Sequence, residues 1–257
     1  MFAPANFFGL SEFRYAAIFT DVEYVWEAIK LIRTFIGEYC PEARFAGEDT
    51  HIMPGAFLDG EPIVIGRNCV IEPGAYVRGP TLIGDHVTIR HGAYIRGNAL
   101  VGDGCIIGHA TEIKNAILLN GAKAPHFAYV GDSILGNRVN LGAGTRLSNL
   151  KIARGHVLVK AGGRVIDTGL RQFGAVVGDD AQTGCNAVLN PGTLVGPRSL
   201  IYPSAAVTGV VPPDTIVKLR APLEYAQRTP VQAPGGVGGL HQAMVGRRRP
   251  RHPGAQQ

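Results

Sequence analysis

A six-residue repeat runs through most of this chain and limits it to very few folds. From Ile65 the chain divides into ten successive hexads that each open on an aliphatic residue, and the fifth residue of the first eight is small or β-branched. A period of six matches neither the helical repeat nor the two-residue alternation of a long strand. It predicts short strands that each place one aliphatic and one small side chain inside, joined by turns rich in Gly, Asn and Asp. The aliphatic positions are Ile65, Ile71, Val77, Ile83, Ile89, Ile95, Val101, Ile107, Ile113 and Leu119, then Leu135, Leu141 and Leu147, and after residue 176 Val177, Thr183, Leu189, Val195, Ile201 and Val207.

Two segments depart from the repeat. Residues 11–39 have helical apolar spacing, with Asp21 as the predicted N-cap, and we expect them to cover the exposed edge of the first coil. Residues 151–174 carry the strand-like HVLVK and RVIDT around a Gly-Gly pair, which predicts an inserted β-hairpin. We therefore predict a helical cap over 1–50, a repeat domain over 51–218, and an arm with a tail over 219–257.

The composition fits a mainly β protein with a neutral folded body. Hydrophobic residues make up 46% of the 257 residues, enough for a core, while 35 Gly and 17 Pro argue against a helical bundle. Five of the 25 basic residues follow Tyr225 and none of the 20 acidic ones do, so the charge of +5 comes from the tail. We expect that tail to be disordered and solvated, and we expect neither a nucleic-acid nor a membrane partner.

The remaining global features predict a cytoplasmic protein. No stretch approaches about 18 consecutive apolar residues, and the N-terminus lacks the basic and apolar regions of an export signal. The four cysteines include no Cys-x-x-Cys pair, so we expect reduced thiols rather than a disulfide framework.

Three cations are spaced at the predicted coil length. Arg78, Arg96 and Lys114 are 18 residues apart and each follows an inward aliphatic residue, so they are expected to point outward in one column. Such a column suits a phosphate or a carboxylate, because Arg and Lys supply charge-assisted hydrogen bonds. Side chains that fan into water at little cost are the alternative.

The segment from Glu112 to Asn149 carries the most specific motif. It reads Glu-x-Lys, then Lys-x-x-His-x-x-Tyr-x-Gly-Asp, then Asn-x-Gly-Ala-Gly-Thr, with a further Asn at its end. A plain repeat has no reason to place Pro125 and His126 here. The motif positions are Glu112, Lys114, Lys123, His126, Tyr129, Gly131, Asp132, Asn140 to Thr145, and Asn149.

This segment resembles the acetyltransferase half of the bacterial bifunctional N-acetylglucosamine-1-phosphate uridylyltransferase and glucosamine-1-phosphate acetyltransferase. A nearer likeness is to stand-alone relatives that lack the nucleotidyltransferase domain. The resemblance implies a hexapeptide-repeat left-handed parallel β-helix, three hexads per coil, and a homotrimer whose sites lie between subunits. It also implies acetyl-coenzyme A as co-substrate, an amino-sugar phosphate as acceptor, and no metal.

The resemblance further implies a role for each matching residue. His126 matches the general base and Glu112 the carboxylate that orients it, while the Ala143 amide matches the oxyanion donor beside coenzyme A. Acyl transfer to an amine needs these groups: a base for the ammonium proton, an oxyanion donor, and a clamp for the phosphate. The other matches are Arg96, Lys114, Tyr129 and Asn140 to sugar-phosphate contacts, Asn149 to a residue that reaches a neighbouring subunit's site, and Arg220 to a contact with coenzyme A phosphate.

Departures from the family pattern leave alternatives open. Gln172 stands where the family has a lysine, and Cys185 replaces a serine and is expected to be a small buried residue. The residues ahead of the repeats are too few for the nucleotidyltransferase half, so diphosphorylase activity is not expected of them. The alternatives are an acyltransferase acting on a nucleotide amino-sugar and a non-catalytic sugar-nucleotide-binding partner of a separate nucleotidyltransferase. A zinc hydratase using His51, His86 and His91 is disfavoured, because the seven-residue step from Leu58 to Ile65 puts His51 out of register.

Overall fold

The repeats form a three-sided parallel β-helix. The computed structural model describes residues 2–40, 44–220 and 222–227. Among these residues the strands of successive coils pair in parallel to form three sheets, here named A, B and C. Sheet A consists of Arg44–Ala46, Ile63–Ile65, Thr81–Ile83, Ala99–Val101, Ala116–Leu118, Ile134–Leu135, Ala175–Val177, Thr193–Val195 and Val210–Val211.

Sheets B and C complete each coil. The β-helix begins before residue 51, because the first strand of sheet A already precedes that residue. Sheet B consists of His51–Ile52, Val70–Ile71, Thr88–Ile89, Ile106–His109, Lys123–His126, Asn140–Leu141, Gln182–Thr183, Leu200–Ile201 and Ile216–Val217. Sheet C consists of Phe57–Asp59, Tyr76–Arg78, Tyr94–Ile95, Glu112–Lys114, Tyr129–Gly131, Arg146–Leu147, Val188–Leu189 and Ala206–Val207.

The predicted inward residues fill the core of the β-helix, with one exception. The aliphatic positions from Ile65 to Ile113 are buried inside, as are those from Leu135 onward. The prediction for Leu119 is wrong, because Leu118 points inward and Leu119 packs outward. The reason is a shorter coil: 18 residues separate Tyr76 from its partner Tyr94, but 17 separate Ala99 from Ala116.

The N-terminal segment packs on the outer face of sheet A rather than over the first coil. The central strands of sheet A are buried on both faces, so residues such as Leu100 and Ile117 face outward into a second apolar core. That core includes Trp26 and Ile32 of the N-terminal segment. A side wall of apolar residues, rather than the open end of the solenoid, therefore determines where this segment lies.

Less of the N-terminal segment is α-helical than the spacing predicts. The α-helix spans Ala28–Tyr39, preceded by 3-10 turns at Pro4–Asn6, Ala16–Phe19 and Val25–Glu27. Asp21 is not the cap. The Glu27 carboxylate instead accepts hydrogen bonds from the Glu23 and Tyr24 amides, both 2.9 Å, because Glu27 ends the 3-10 turn that leads into the α-helix.

The inserted hairpin is confirmed. Its strands, Leu158–Ala161 and Arg164–Asp167, pair antiparallel around Gly162 and Gly163, whose φ values of 53° and 76° suit a tight turn. No helix among the described residues is long and apolar enough to span a membrane. Residues 222–227 contain no helix or strand, and the predicted disordered tail from 228 lies outside the described residues.

Close packing between coils requires glycine at one position below the candidate site. A Cβ at Gly108 would lie 1.6 Å from the Pro125 carbonyl oxygen, whereas one at Gly37, on the exposed side of the α-helix, would meet nothing within 4 Å. We expect Gly108→Ala to lower the free energy of unfolding by about 1–3 kcal/mol through overpacking. Gly37→Ala should raise it by about 0.5–1 kcal/mol. Urea denaturation of both variants checks this, and equal midpoints for the two would contradict the packing described here.

Candidate active site

Four of the predicted site residues meet on the outer face of sheet C: Arg96, Glu112, Lys114 and Tyr129. The register places Glu112 between Tyr94 and Tyr129, and Lys114 beside Gly131. Arg96 Nη1 donates to Glu112 Oε1 at 2.7 Å, and its guanidinium lies 6.0 Å from the centre of the Tyr94 ring. The hydrogen bond to Glu112 raises the pKa of Arg96, so the guanidinium stays charged. The predicted cation column therefore exists, but carboxylates neutralise it.

A buried carboxylate organises the upper part of this cluster. Asp132 has a side-chain exposure of 5%, and its carboxylate accepts from Lys114 Nζ and Asn115 Nδ2, both at 2.8 Å. Asn149 Nδ2 donates to the same carboxylate. The short coil explains this geometry, because Asn115 and Asp132 occupy a corner that has lost one residue and both adopt positive φ.

Tyr129 folds over the same cluster. A Cβ at Gly131 would lie 2.5 Å from the Tyr129 hydroxyl and 2.8 Å from Asn149 Nδ2, so only glycine leaves room for both groups. Burial raises the pKa of the Tyr129 hydroxyl, and the charges of Glu112 and Asp132 raise it further. Tyr129 is therefore a neutral hydrogen-bonding group at physiological pH.

The second centre is the corner between sheets B and C. His126 is exposed at the end of its strand, and no described residue hydrogen-bonds its ring. One coil further, the Gly144 amide donates to the His126 carbonyl at 3.1 Å, which places Ala143 directly above His126. No described residue accepts a hydrogen bond from the Ala143 amide. An imidazole and a free N–H thus lie at one corner, on backbone positions about 4.8 Å apart along the axis.

Other predicted contacts lie elsewhere within the chain. Asn140 is on sheet B, paired with Lys123 and Gln182, around the corner from the sheet C cluster. Arg220 follows the last strand of sheet B, four coils or about 19 Å from His126. No hydrogen bond joins Glu112 to His126 among the described residues. Asn149 is buried and bonded to its own chain's Asp132, which differs from the expected contact with a neighbouring subunit.

The two departures from the family motif both lie at the site. Gln172 Oε1 accepts from Lys114 Nζ at 2.9 Å, so it belongs to the sheet C cluster. The prediction that Cys185 is buried is wrong, because its side chain is exposed at the corner where His126 and Ala143 lie. Its turn hydrogen-bonds to the Ala143 carbonyl through Asn186. The corner faces outward, so a residue there cannot enter the core.

Sequence reasoning overlooked the roles of Asp132 and Asn115. Asp132 is part of the motif, but its central position depends on the shortened coil. The hexad pattern does not reveal that coil, because Leu119 also fits the pattern.

Two other histidines, His91 and His109, stack at the corner where His126 lies, with ring centres 5.6 Å apart. Their Nδ1 atoms lie 2.6 Å and 3.0 Å from backbone carbonyls, so each carries its proton there.

The candidate zinc ligands do not converge. His51 lies on sheet B beside Val70, His86 lies in the turn before a sheet B strand with φ of 59°, and His91 lies beyond the other end of that strand, at the His126 corner. Over the residues that the structure describes, no group of three or more His, Cys, Asp or Glu side chains is arranged to hold a metal ion.

Known proteins match the chain over its β-helix. Residues 77–169 match the family described as the GMPPB C-terminal domain. A bifunctional sugar-1-phosphate nucleotidylyltransferase/acetyltransferase of Sulfurisphaera tokodaii is 41% identical over 96 residues, covering 37% of this chain and 24% of that protein. The bifunctional protein GlmU of Geotalea uraniireducens is 31% identical over 192 residues, covering 68% of this chain and 38% of that protein.

These matches confirm the resemblance that the motif predicted. The relatives are bifunctional proteins of the expected kind, and the chain spans well under half the length of either one. Among solved structures, a Francisella novicida UDP-N-acetylglucosamine acyltransferase aligns with 63% of this chain and 60% of its own, at 19% identity and a TM-score of 0.25.

Removing the central carboxylate tests its role in the cluster. We expect Asp132→Ala to lower the free energy of unfolding by about 2–3 kcal/mol, because it leaves Lys114 and two amides without their acceptor. Asp214→Ala is the matched control, since it breaks an ion pair with Arg198 that lies in solvent. Urea denaturation of both variants gives the comparison. If the control loses as much stability as Asp132→Ala, the buried network does not have this role.

Proposed function

We propose that this protein transfers an acetyl group from acetyl-coenzyme A to the amine of an amino-sugar phosphate. The observation that carries the proposal is the corner where an exposed imidazole, His126, lies one coil below the free amide of Ala143. A general base and an oxyanion donor are the two groups that acyl transfer to an amine requires from the protein. The Sulfurisphaera tokodaii relative has an acetyltransferase activity in its name, which supports the same reaction class.

The chemistry assigns one task to each group at the corner. The acceptor's ammonium gives a proton to the His126 imidazole, and the neutral nitrogen attacks the thioester carbonyl carbon. The new C–N bond forms as the carbonyl oxygen becomes an oxyanion, which the Ala143 N–H stabilises. Collapse breaks the C–S bond, and the coenzyme A thiolate leaves with the proton returned by the imidazolium, while the second proton of the original ammonium passes from the new amide nitrogen to solvent. The products are an amide and a free thiol.

The sheet C cluster is suited to binding and orienting the acceptor. Arg96, Lys114 and Tyr129 present donors on one face, and the buried Asp132 holds Lys114 and Asn149 in place. Glu112 Oε1 is bonded to Arg96, and no described residue donates to Oε2. In this proposal Oε2 receives the imidazole N–H of His126 when the substrate complex forms, because catalytic hydrogen bonds often tighten only then.

In this proposal the acceptor is glucosamine-1-phosphate. The reaction takes place in the cytoplasm and contributes to nucleotide-sugar synthesis for the cell envelope. The proposal also includes a homotrimer. The site lies on an outer wall and corner of the solenoid, and in this proposal a second subunit encloses the substrates there. Asn140 on sheet B and the distant Arg220 then contact coenzyme A or the acceptor across that interface.

Replacing His126 tests the base. We expect His126→Ala to lower the turnover number 10²- to 10⁴-fold, the usual cost of losing a general base, while leaving coenzyme A binding nearly unchanged. The measurement is release of free thiol from acetyl-coenzyme A with glucosamine-1-phosphate as acceptor. His51→Ala is the control, because His51 is an exposed histidine on an early coil. Full turnover in His126→Ala would remove the imidazole from the mechanism.

Replacing Arg96 tests the acceptor cluster separately. We expect Arg96→Ala to raise the KM for the acceptor with a smaller effect on the turnover number, because a phosphate clamp acts in the ground state and the transition state alike. Steady-state kinetics with varied acceptor and saturating acetyl-coenzyme A measures both constants. A loss confined to the turnover number would instead place Arg96 in the chemical step, through its partner Glu112.

A nucleotide amino-sugar is the second candidate acceptor, and one feature favours it. The rings of Phe57, Tyr76 and Tyr94 contact one another along sheet C, with centres 6.3 and 5.6 Å apart, and lead to Glu112. Such a ladder offers stacking faces to a base or a second sugar. Thiol release across amino-sugar phosphates and nucleotide amino-sugars separates the two acceptors. If every acceptor binds without thiol release, the remaining hypothesis is that the protein is a non-catalytic partner of a nucleotidyltransferase.

A further inference from the structure

We propose that Arg146 is a phosphate-binding residue of this site, a role that rests on the proposed function. Its strand position pairs with Tyr129 on one side and Val188 on the other, so its side chain lies on the outer face of sheet C. The residue is exposed. It is one coil above Tyr129, at the end of the sheet C cluster nearest the corner.

The guanidinium of Arg146 is anchored to the catalytic turn. Its Nη1 donates to the Gly144 carbonyl at 2.8 Å, and Gly144 directly follows Ala143, whose amide is the proposed oxyanion donor. Glycine is required in this turn, since its φ is 72° and a Cβ would lie 2.5 Å from the Asn186 side chain. A rigid turn therefore holds the guanidinium beside the reacting groups.

Charge balance distinguishes Arg146 from the other cations of this face. Arg78 lies 3.8 Å from Asp59, Arg96 is 2.7 Å from Glu112, and Lys114 is 2.8 Å from Asp132. In the part of the chain that the structure describes, Arg146 contacts no carboxylate. The cluster below is therefore close to neutral, and Arg146 adds a positive charge that no carboxylate of the described residues pairs with.

This arrangement suits a phosphate oxyanion. A guanidinium has five N–H donors, and the bond to Gly144 uses one of them, so a planar pair remains for bidentate contact with two phosphate oxygens. Gln172, by contrast, accepts a hydrogen bond from Lys114 and adds no charge to the site. The phosphate belongs either to the acceptor sugar or to coenzyme A, since both proposed substrates carry phosphate.

The experiment compares wild type, Arg146→Gln and Arg146→Lys, with Arg198→Gln as the control for loss of an exposed arginine remote from the site. In the acceptor arm, KM is measured for glucosamine-1-phosphate and for glucosamine. In the donor arm, KM is measured for acetyl-coenzyme A, its form without the 3′-phosphate, and acetyl-pantetheine. Isothermal titration of glucosamine-1-phosphate and of coenzyme A supplies a readout that does not depend on turnover.

We expect Arg146→Gln to weaken one phosphorylated ligand about 10- to 100-fold, the range for hydrogen bonds to a charged group. The effect should vanish when that ligand lacks the contacted phosphate, which identifies its source. Arg146→Lys should restore part of the affinity, because it keeps the charge and loses the fork. Arg198→Gln should match wild type.

An equal loss for phosphorylated and phosphate-free ligands, or no loss for either, overturns the assignment. If wild type binds these ligands without releasing thiol, the proposed function fails, while titration of Arg146→Gln still decides the phosphate contact. If wild type binds none of them, the assignment is overturned as well.

Discussion

The hydrogen bonds between successive coils are the constraint on which the rest of this structure depends. Parallel pairing fixes the strand spacing at about 4.8 Å and assigns each residue to a column along the solenoid. Side chains that are a coil apart in sequence become neighbours, while adjacent residues point to opposite faces. The sheet C cluster follows directly: Arg96, Lys114 and Gly131 form one column, and Tyr94, Glu112, Tyr129 and Arg146 form the next.

The loss of one residue from a corner gives this regular wall its chemistry. With the shorter coil, Asn115 and Asp132 each make a tight turn at positive φ, and both side chains reach the space beside Lys114. The same shortening places Gly131 above Lys114, where the absent side chain admits the Tyr129 hydroxyl and Asn149. A buried carboxylate with three donors is costly to assemble but rigid once complete. The backbone pairing on both sides holds that arrangement in place.

The repeat predicted most of the fold because its period and its burial pattern carry the same information. Inward positions such as Ile89 and Ile107 were correct, since a misplaced aliphatic residue would break the core. Leu119 was wrong because two adjacent leucines satisfy both faces of a sheet A strand, so the pattern cannot show where a residue is lost. The N-terminal segment was misplaced for a related reason: apolar outward residues such as Leu100 are indistinguishable in sequence from core residues.

The candidate site was predictable in its residues but not in its pairings. The motif identified Glu112 and Lys114. Nothing in the spacing, however, shows that Glu112 would pair with Arg96 and Lys114 with Asp132. Those pairings make the two cations different in kind. Lys114 is held by a carboxylate of 5% exposure, whereas the Arg96 pair, at 43% and 33%, remains open to water. Screening weakens the exposed pair and not the buried one. In the proposed function, Arg96 therefore exchanges Glu112 for an incoming anion, and that exchange releases Glu112 toward His126 as the substrate arrives.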